Sequence, residues 1–152
     1  MARLWLIGCT LLSLTLADAA AYDLRQHQWN QRVLVLVAPA SDDPDLIAQR
    51  HWLEGRRAAL ADRDMLVIEV WADAGLAGDQ PLSAIDAAGL RDRLQVAPGD
   101  RLQLLIGKDG GIKRRAALNT DLSESLGQID AMPMRRQEIR AKQRAGLPVT
   151  PP

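Results

Sequence analysis

An α/β fold with a central mixed sheet of about four strands, covered by helices on both faces, is predicted by three features of this chain. Val33-Leu-Val-Leu-Val37 is five consecutive apolar residues, the pattern of a central strand buried on both sides. A second β-rich run, Met65-Leu-Val-Ile-Glu-Val-Trp71, is separated from it by one helical segment, so the two strands should form a right-handed parallel crossover. Two further runs, Leu102-Gln-Leu-Leu-Ile106 and Ile112-Lys-Arg-Arg-Ala116, enclose Lys108-Asp-Gly-Gly111, whose Asp-Gly pair favours a tight antiparallel hairpin.

The elements follow in order. Residues 22–32 are polar around Trp29 and lead in as a short helix or an extended arm. After the first strand, Asp42-Asp-Pro-Asp45 places a cap residue before a proline, a helix-start signal. The helix carries Leu46, Ile47, Trp52, Leu53 and Leu60 and ends near Asp62. Residues 72–81 hold Gly75, Gly78 and Pro81 and are expected to be a loop. Ser83 caps a shorter helix with Ile85, Leu90 and Leu94 on one face, weakened by Gly89. After the hairpin, Asn119 or Thr120 opens a helix with Leu122, Leu126 and Ile129 at helical spacing, broken by Met132-Pro-Met134. A last basic helix over residues 135–144 stops at Gly146, and residues 146–152 form an extended tail. The order β-α-β-α-β-β-α is the thioredoxin-like one.

Composition sets the outer limits. The 152 residues are 47% hydrophobic and 25% charged, as in an ordinary globular domain. Nineteen basic residues balance nineteen acidic ones, which gives no general drive toward nucleic acid or an anionic membrane. With four Trp, one Tyr and no Phe, the core must be built from Leu, Val, Ile and Ala.

The N-terminus has the form of a secretory signal peptide: Arg3, an apolar stretch from Leu4, then the overlapping small-x-small sites Ala17-Asp-Ala19 and Ala19-Ala-Ala21. Residues 1–19 are expected to be removed, with cleavage after 21 as the alternative, leaving a domain over 22–145 that is periplasmic or secreted. Leu6-Ile-Gly-Cys9 resembles the box of a lipidated cysteine, but the apolar stretch continues through Leu16. That stretch, about 14 residues, falls short of the ~20 needed to span a bilayer, so no stable membrane span remains after cleavage. The one cysteine of the chain, Cys9, would leave with the signal.

Three segments carry a family resemblance: Leu105-Ile-Gly-Lys-Asp-Gly-Gly-Ile-Lys113, Ile129-Asp-Ala-Met-Pro-Met-Arg-Arg136 and the Leu60-Ala-Asp-Arg-Asp64 turn. Over roughly residues 29–140 the chain resembles a family of thioredoxin-like domains of unknown function, found in bacterial exported proteins and in vertebrate extracellular proteins named for sushi repeats or coiled-coil domains. The resemblance implies a thioredoxin-like fold and an extracytoplasmic setting. It implies no catalytic residues.

Thioredoxin-type folds place working cysteines between the first strand and the next helix, where the helix N-terminus lowers the thiol pKa. Here that junction is Ala38-Pro-Ala-Ser-Asp-Asp-Pro-Asp45, without a thiol. Ser41 would need an adjacent base to act as a nucleophile. Asp42, Asp43 and Asp45 suit helix capping better than cation binding, and lack an EF-hand continuation. His27 and His51 form no ligand cluster, and neither a cofactor nor a metal is expected. Gly107-Lys-Asp-Gly-Gly111 lacks the spacing of a phosphate loop and precedes a strand. Lys113, Arg114 and Arg115 would guard an edge strand against pairing. The last helix gathers Arg135, Arg136, Arg140, Lys142 and Arg144 against Glu138, a solvated face or a surface for an anion or a protein partner. No aromatic residues interleave with these bases, which argues against a stacking nucleic-acid site. The expectation is an exported, non-redox thioredoxin-like binding module, with Arg135, Arg136, Arg140 and Arg144 as its binding residues. The alternative is an enzyme with a non-thiol site at Ser41, Asp42, Asp43 and Asp45.

Overall fold

The computed structural model describes residues 22–151; the expected signal peptide lies outside them. A 3-10 turn (Leu24–His27) leads into β1 (Arg32–Val37), α1 (Pro44–Glu54), α2 (Arg57–Asp62) and β2 (Met65–Val70). Then come β3 (Gly75–Ala77), β4 (Gln80–Leu82), α3 (Ala84–Leu94), β5 (Leu102–Ile106), β6 (Ile112–Ala117), α4 (Leu122–Ala131) and α5 (Pro133–Arg144). The strands form a six-stranded sheet in the order β4-β3-β2-β1-β5-β6. β1 and β2 are parallel, and the other pairs are antiparallel.

β1 is the central strand that its apolar run predicts, buried at all six positions. Alternation sends Val33, Val35 and Val37 to one core with Ile68, Leu90 and Leu94, under α3. Leu34 and Leu36 go to a second core with Leu46, Leu53, Leu122 and Ile129, under α1 and α4.

Several elements differ from expectation for local reasons. The helix expected to run to Asp62 is broken at its glycine: Gly55 ends α1, and Arg56, at φ −126°, starts α2. The expected loop over 72–81 contains the β3–β4 hairpin, which raises the strand count from about four to six. Its turn is Gly78 at φ +60° followed by Asp79, and Pro81 sits on the edge strand, where no ladder donor is needed. A Cβ on Gly75 would lie 2.4 Å from the Glu69 carbonyl oxygen, so only glycine lets β3 approach β2 this closely.

Ser83 caps α3, and Asp86 completes a capping box. Ala87, Leu90 and Leu94 are buried, whereas Ile85 points to solvent. α4 starts from Asp121, just after the residues expected to open it. α5 starts with Pro133 at its first position, two residues ahead of expectation, because Met132 at φ −68°, ψ 143° ends one helix and starts the next. Gly146, at φ +68°, closes α5, and the Leu147 N–H donates to the Lys142 carbonyl at 3.0 Å. The tail beyond is extended but tied down. The Thr150 N–H donates to Asp62 Oδ2 at 3.3 Å, and its carbonyl accepts from Arg63 Nη2 at 3.3 Å.

The β5–β6 turn is a three-residue loop. The Gly110 N–H donates to the Gly107 carbonyl and the Gly107 N–H to the Gly111 carbonyl, both at 2.9 Å, with Gly110 at φ +79°. That is a turn followed by a left-handed bulge residue. β6 is an edge strand, as its Lys113-Arg-Arg115 charges suggest.

Candidate functional site

At the β1–α1 junction, Asp43 is the cap of α1. Its carboxylate accepts from the N–H groups of Asp45 (3.0 Å) and Leu46 (3.4 Å). Its side chain is 2% exposed and paired with Arg101 Nη2 at 2.8 Å. Asp45 lies 3.9 Å from the same guanidinium. Ser41 and Asp42 are exposed, and the Ser41 carbonyl accepts from Arg50 Nη1 at 2.7 Å. Among the described residues no base hydrogen-bonds the Ser41 hydroxyl, and no group of three or more His, Asp or Glu is placed to hold a metal ion. His27 bridges the Tyr22 hydroxyl (2.6 Å) and Gln31 Oε1 (2.8 Å), while His51 is exposed on α1.

The opposite end of the sheet is built differently. Arg32, Arg63 and Arg135 are among the largest fully buried side chains. Arg32, the first residue of β1, donates from both terminal nitrogens to Glu138 (3.0 and 3.2 Å) and to the Arg63 carbonyl (2.8 Å). Arg63 donates to Asp130 (2.5 Å) and to the Ala59 carbonyl (2.8 Å), while its Nε has no partner. Arg135 donates to the Asp62 carboxylate, to the Asp62 carbonyl (2.7 Å) and to Asp130 (3.2 Å). Lys108 bridges Asp64 (2.7 Å) and Glu138 (2.9 Å), and Lys142 reaches Asp62. Five cations thus interleave with the four carboxylates of Asp62, Asp64, Asp130 and Glu138. Burial alone would raise the Asp62 and Glu138 carboxyls. Hydrogen bonds outweigh it, from Lys142 and Arg135 on Asp62 and from Arg32 and Lys108 on Glu138, and hold both below their ordinary range.

This network joins the three segments that carry the family resemblance. The α2–β2 turn gives Asp62, Arg63 and Asp64; the hairpin gives Lys108; the α4–α5 corner gives Asp130 and Arg135.

The network also sorts the basic residues of α5. Arg135, expected on the surface, is 0% exposed, because its guanidinium holds the α2–β2 turn to the α4–α5 corner. Lys142 is likewise engaged, and Glu138 is turned inward onto Arg32 and Lys108. Arg136, Arg140 and Arg144 are exposed, four residues apart, and make no ion pair among the described residues. A groove of about 370 Å³ lies between the hairpin and the α4–α5 corner, lined by Met132, Pro133, Met134, Gln128, Lys113, Lys108, Asp109 and Arg32. No sequence signal marked this groove, since its walls come from three separated segments.

Trp29 abuts the same hairpin. It lies at φ +67°, a strained angle for a bulky residue, with its N–H on the Lys108 carbonyl (2.6 Å) and its side chain largely in solvent.

The fold is that of a thioredoxin-like domain. In solved structures, it is similar to the reduced 2-Cys peroxiredoxin of Plasmodium vivax, with a TM-score of 0.58, 18% identity, and coverage of 75% of this chain and 84% of that one. It is also similar to thioredoxin peroxidase I of Plasmodium yoelii, with a TM-score of 0.54, 17% identity, and coverage of 81% and 80%. At that identity the likeness concerns the fold alone. The chain belongs to the family described as Domain of unknown function (DUF4174), which matches residues 23–138. No curated protein matches it.

Proposed function

We propose that this chain is an exported, non-redox thioredoxin-like domain that binds an acidic partner through Arg136, Arg140 and Arg144 on α5. The observation that carries this reading is the row of three exposed guanidiniums without ion pairs among the described residues, on a helix whose other long basic side chains, Arg135 and Lys142, are engaged with Asp62. Three like charges at four-residue spacing on one helix make a local positive field on a protein of zero net charge. The peroxidase activity in the neighbours' names is not carried over. Thiol chemistry needs an attacking thiolate, the sequence has no cysteine after Cys9, and Asp43, neutralised by Arg101, occupies the junction. The apolar N-terminus and its Ala-rich boundary support export, with a mature N-terminus at Ala20 or Tyr22.

The test is retention on a poly-glutamate resin. The protein should bind at low salt and elute as salt screens exposed charges, over about 8 Å at physiological ionic strength. The variant Arg136→Gln/Arg140→Gln/Arg144→Gln should pass through with its melting temperature nearly unchanged. Equal retention of the two proteins, or protein-dependent peroxide consumption or insulin reduction by residues 22–152, would overturn the reading.

A further inference from the structure

We infer that Asp62 and Arg63 form a peptide-reading site, which residues 147–151 occupy as a displaceable strap, and that an extended, proline-flanked segment of another protein takes their place. The site does not involve Arg136, Arg140 or Arg144. One residue of the strap is read at both of its backbone groups. The Thr150 N–H donates to Asp62 Oδ2, and the Thr150 carbonyl accepts from Arg63 Nη2, both at 3.3 Å. In an extended chain the N–H and C=O of one residue point to the same side, which is how antiparallel strands exchange paired hydrogen bonds. Asp62 and Arg63 therefore supply, with side chains, the acceptor and donor that a neighbouring strand would supply with its backbone. Neither contact uses a side chain of the strap, so the bound segment needs no charge of its own.

The strap's own sequence states the ligand class. Leu147-Pro-Val-Thr-Pro151 has a proline two residues before Thr150 and another directly after it. The residue before a proline is steered away from the helical region, so Pro151 keeps Thr150 extended. A segment stiffened by prolines also loses little entropy on binding. The hold on the strap is weak. Both bonds are longer than the usual ~2.9–3.0 Å. Leu147 is 57% exposed, Val149 and Thr150 are half-buried, and no residue of the strap belongs to either apolar core. The bond from the Leu147 N–H to the Lys142 carbonyl closes α5 before the strap reaches its site, so the helix cap survives release. Segments with few apolar contacts open at low free energy. The two readers, in contrast, are fixed from beneath: Asp62 by Arg135 and Lys142, Arg63 by Asp130 and the Ala59 carbonyl. A held site with a loose occupant is preorganised for exchange. Because the strap acts at an effective concentration on the order of 1 mM, it competes with any segment that arrives from outside.

Amide-resolved NMR on the whole chain tests this with two peptides. One is acetyl-Leu-Pro-Val-Thr-Pro-Pro-amide; the other carries N-methyl-threonine and so lacks the N–H that Asp62 reads. The variant Thr150→Pro removes the same N–H from the strap. The first peptide should shift the amides of residues 62–64 in Thr150→Pro, and about threefold more of it should be needed in the parent chain, where the strap competes. The N-methyl peptide should shift these amides in neither chain. In the parent chain without peptide, the Thr150 amide should exchange with solvent at least about tenfold faster than the Leu34 amide of the central strand, a readout that needs no variant. No shift at residues 62–64 in either chain would overturn the site. Equal response of parent and variant would show that the strap does not compete and overturn its role as occupant. Equal shifts with the N-methyl peptide would overturn the reading of the backbone N–H. A Thr150 amide as slow as that of Leu34 would make the strap a fixed part of the fold and overturn its displacement.

Discussion

Removing the Asp62 carboxylate tests whether the arginine network holds the domain together. Asp62→Ala deletes the acceptor of Arg135 Nη2, Lys142 Nζ and the Thr150 N–H. Lys142 is 31% exposed and can be rehydrated, and Thr150 lies near the chain end. Arg135 is 0% exposed and has no route to water. Breaking a buried pair from one side costs about 3–5 kcal/mol. Arg135 keeps the Asp62 carbonyl at 2.7 Å and Asp130 at 3.2 Å, so the low end applies, about 3 kcal/mol. For a domain of about 130 residues the unfolding entropy is about 0.27 kcal/mol/K, which converts the loss to a fall in Tm of about 10 °C. Urea melts at equal m-value measure it. The double variant Asp62→Ala/Arg135→Met removes both charges and should be less destabilised than the two single losses added together, by about 1–2 kcal/mol. A single-variant loss under about 0.5 kcal/mol, or strict additivity of the pair, would refute the claim that these side chains are coupled.

Two further outcomes follow from the same structure. The Asp62 and Glu138 carboxyls titrate below their ordinary values of 3.8 and 4.5, so the folded state binds fewer protons than the unfolded chain. Their stabilisation is complete above the unfolded values and is lost as the pH falls through the lowered folded ones, so urea midpoints should drop from pH 6 to pH 3; a flat profile would contradict this. Gly110→Val puts a β-branched residue at φ +79° and should cost about 1–3 kcal/mol in the same melts, with an unchanged midpoint contradicting the strain.

What was legible in the sequence was what short-range patterns encode. The apolar run of β1, the Asp-Pro start of α1, the Ser83 cap and the Asp-Gly turn each state their structure within a few residues, and together they fix the mixed sheet. β3 and β4 were not legible. They are three residues long, and the glycines that read as breakers are there because Gly75 must approach the Glu69 carbonyl and Gly78 must turn with positive φ. Gly55, inside a stretch whose apolar spacing continues on both sides, ends α1 in the folded chain. For the candidate site, the sequence marked a basic helix without resolving which bases face water. Arg135 and Arg136 are adjacent and both polar, and only the carboxylates at residues 62 and 130, brought in by tertiary folding, turn one of them inward.

That division explains why α5 can present a row of like charges. Arg135 is the only buried residue of α5, so the helix is held by ion pairs more than by an apolar stripe. Each like-charge pair at four-residue spacing costs a few tenths of a kcal/mol on an isolated helix, and Arg144 recovers part of that at the helix C-terminus. The remainder is small against a fixed ion-pair framework beneath. The inward charges of α5 therefore set the position of the helix, and the cost of the outward row is borne by that framework.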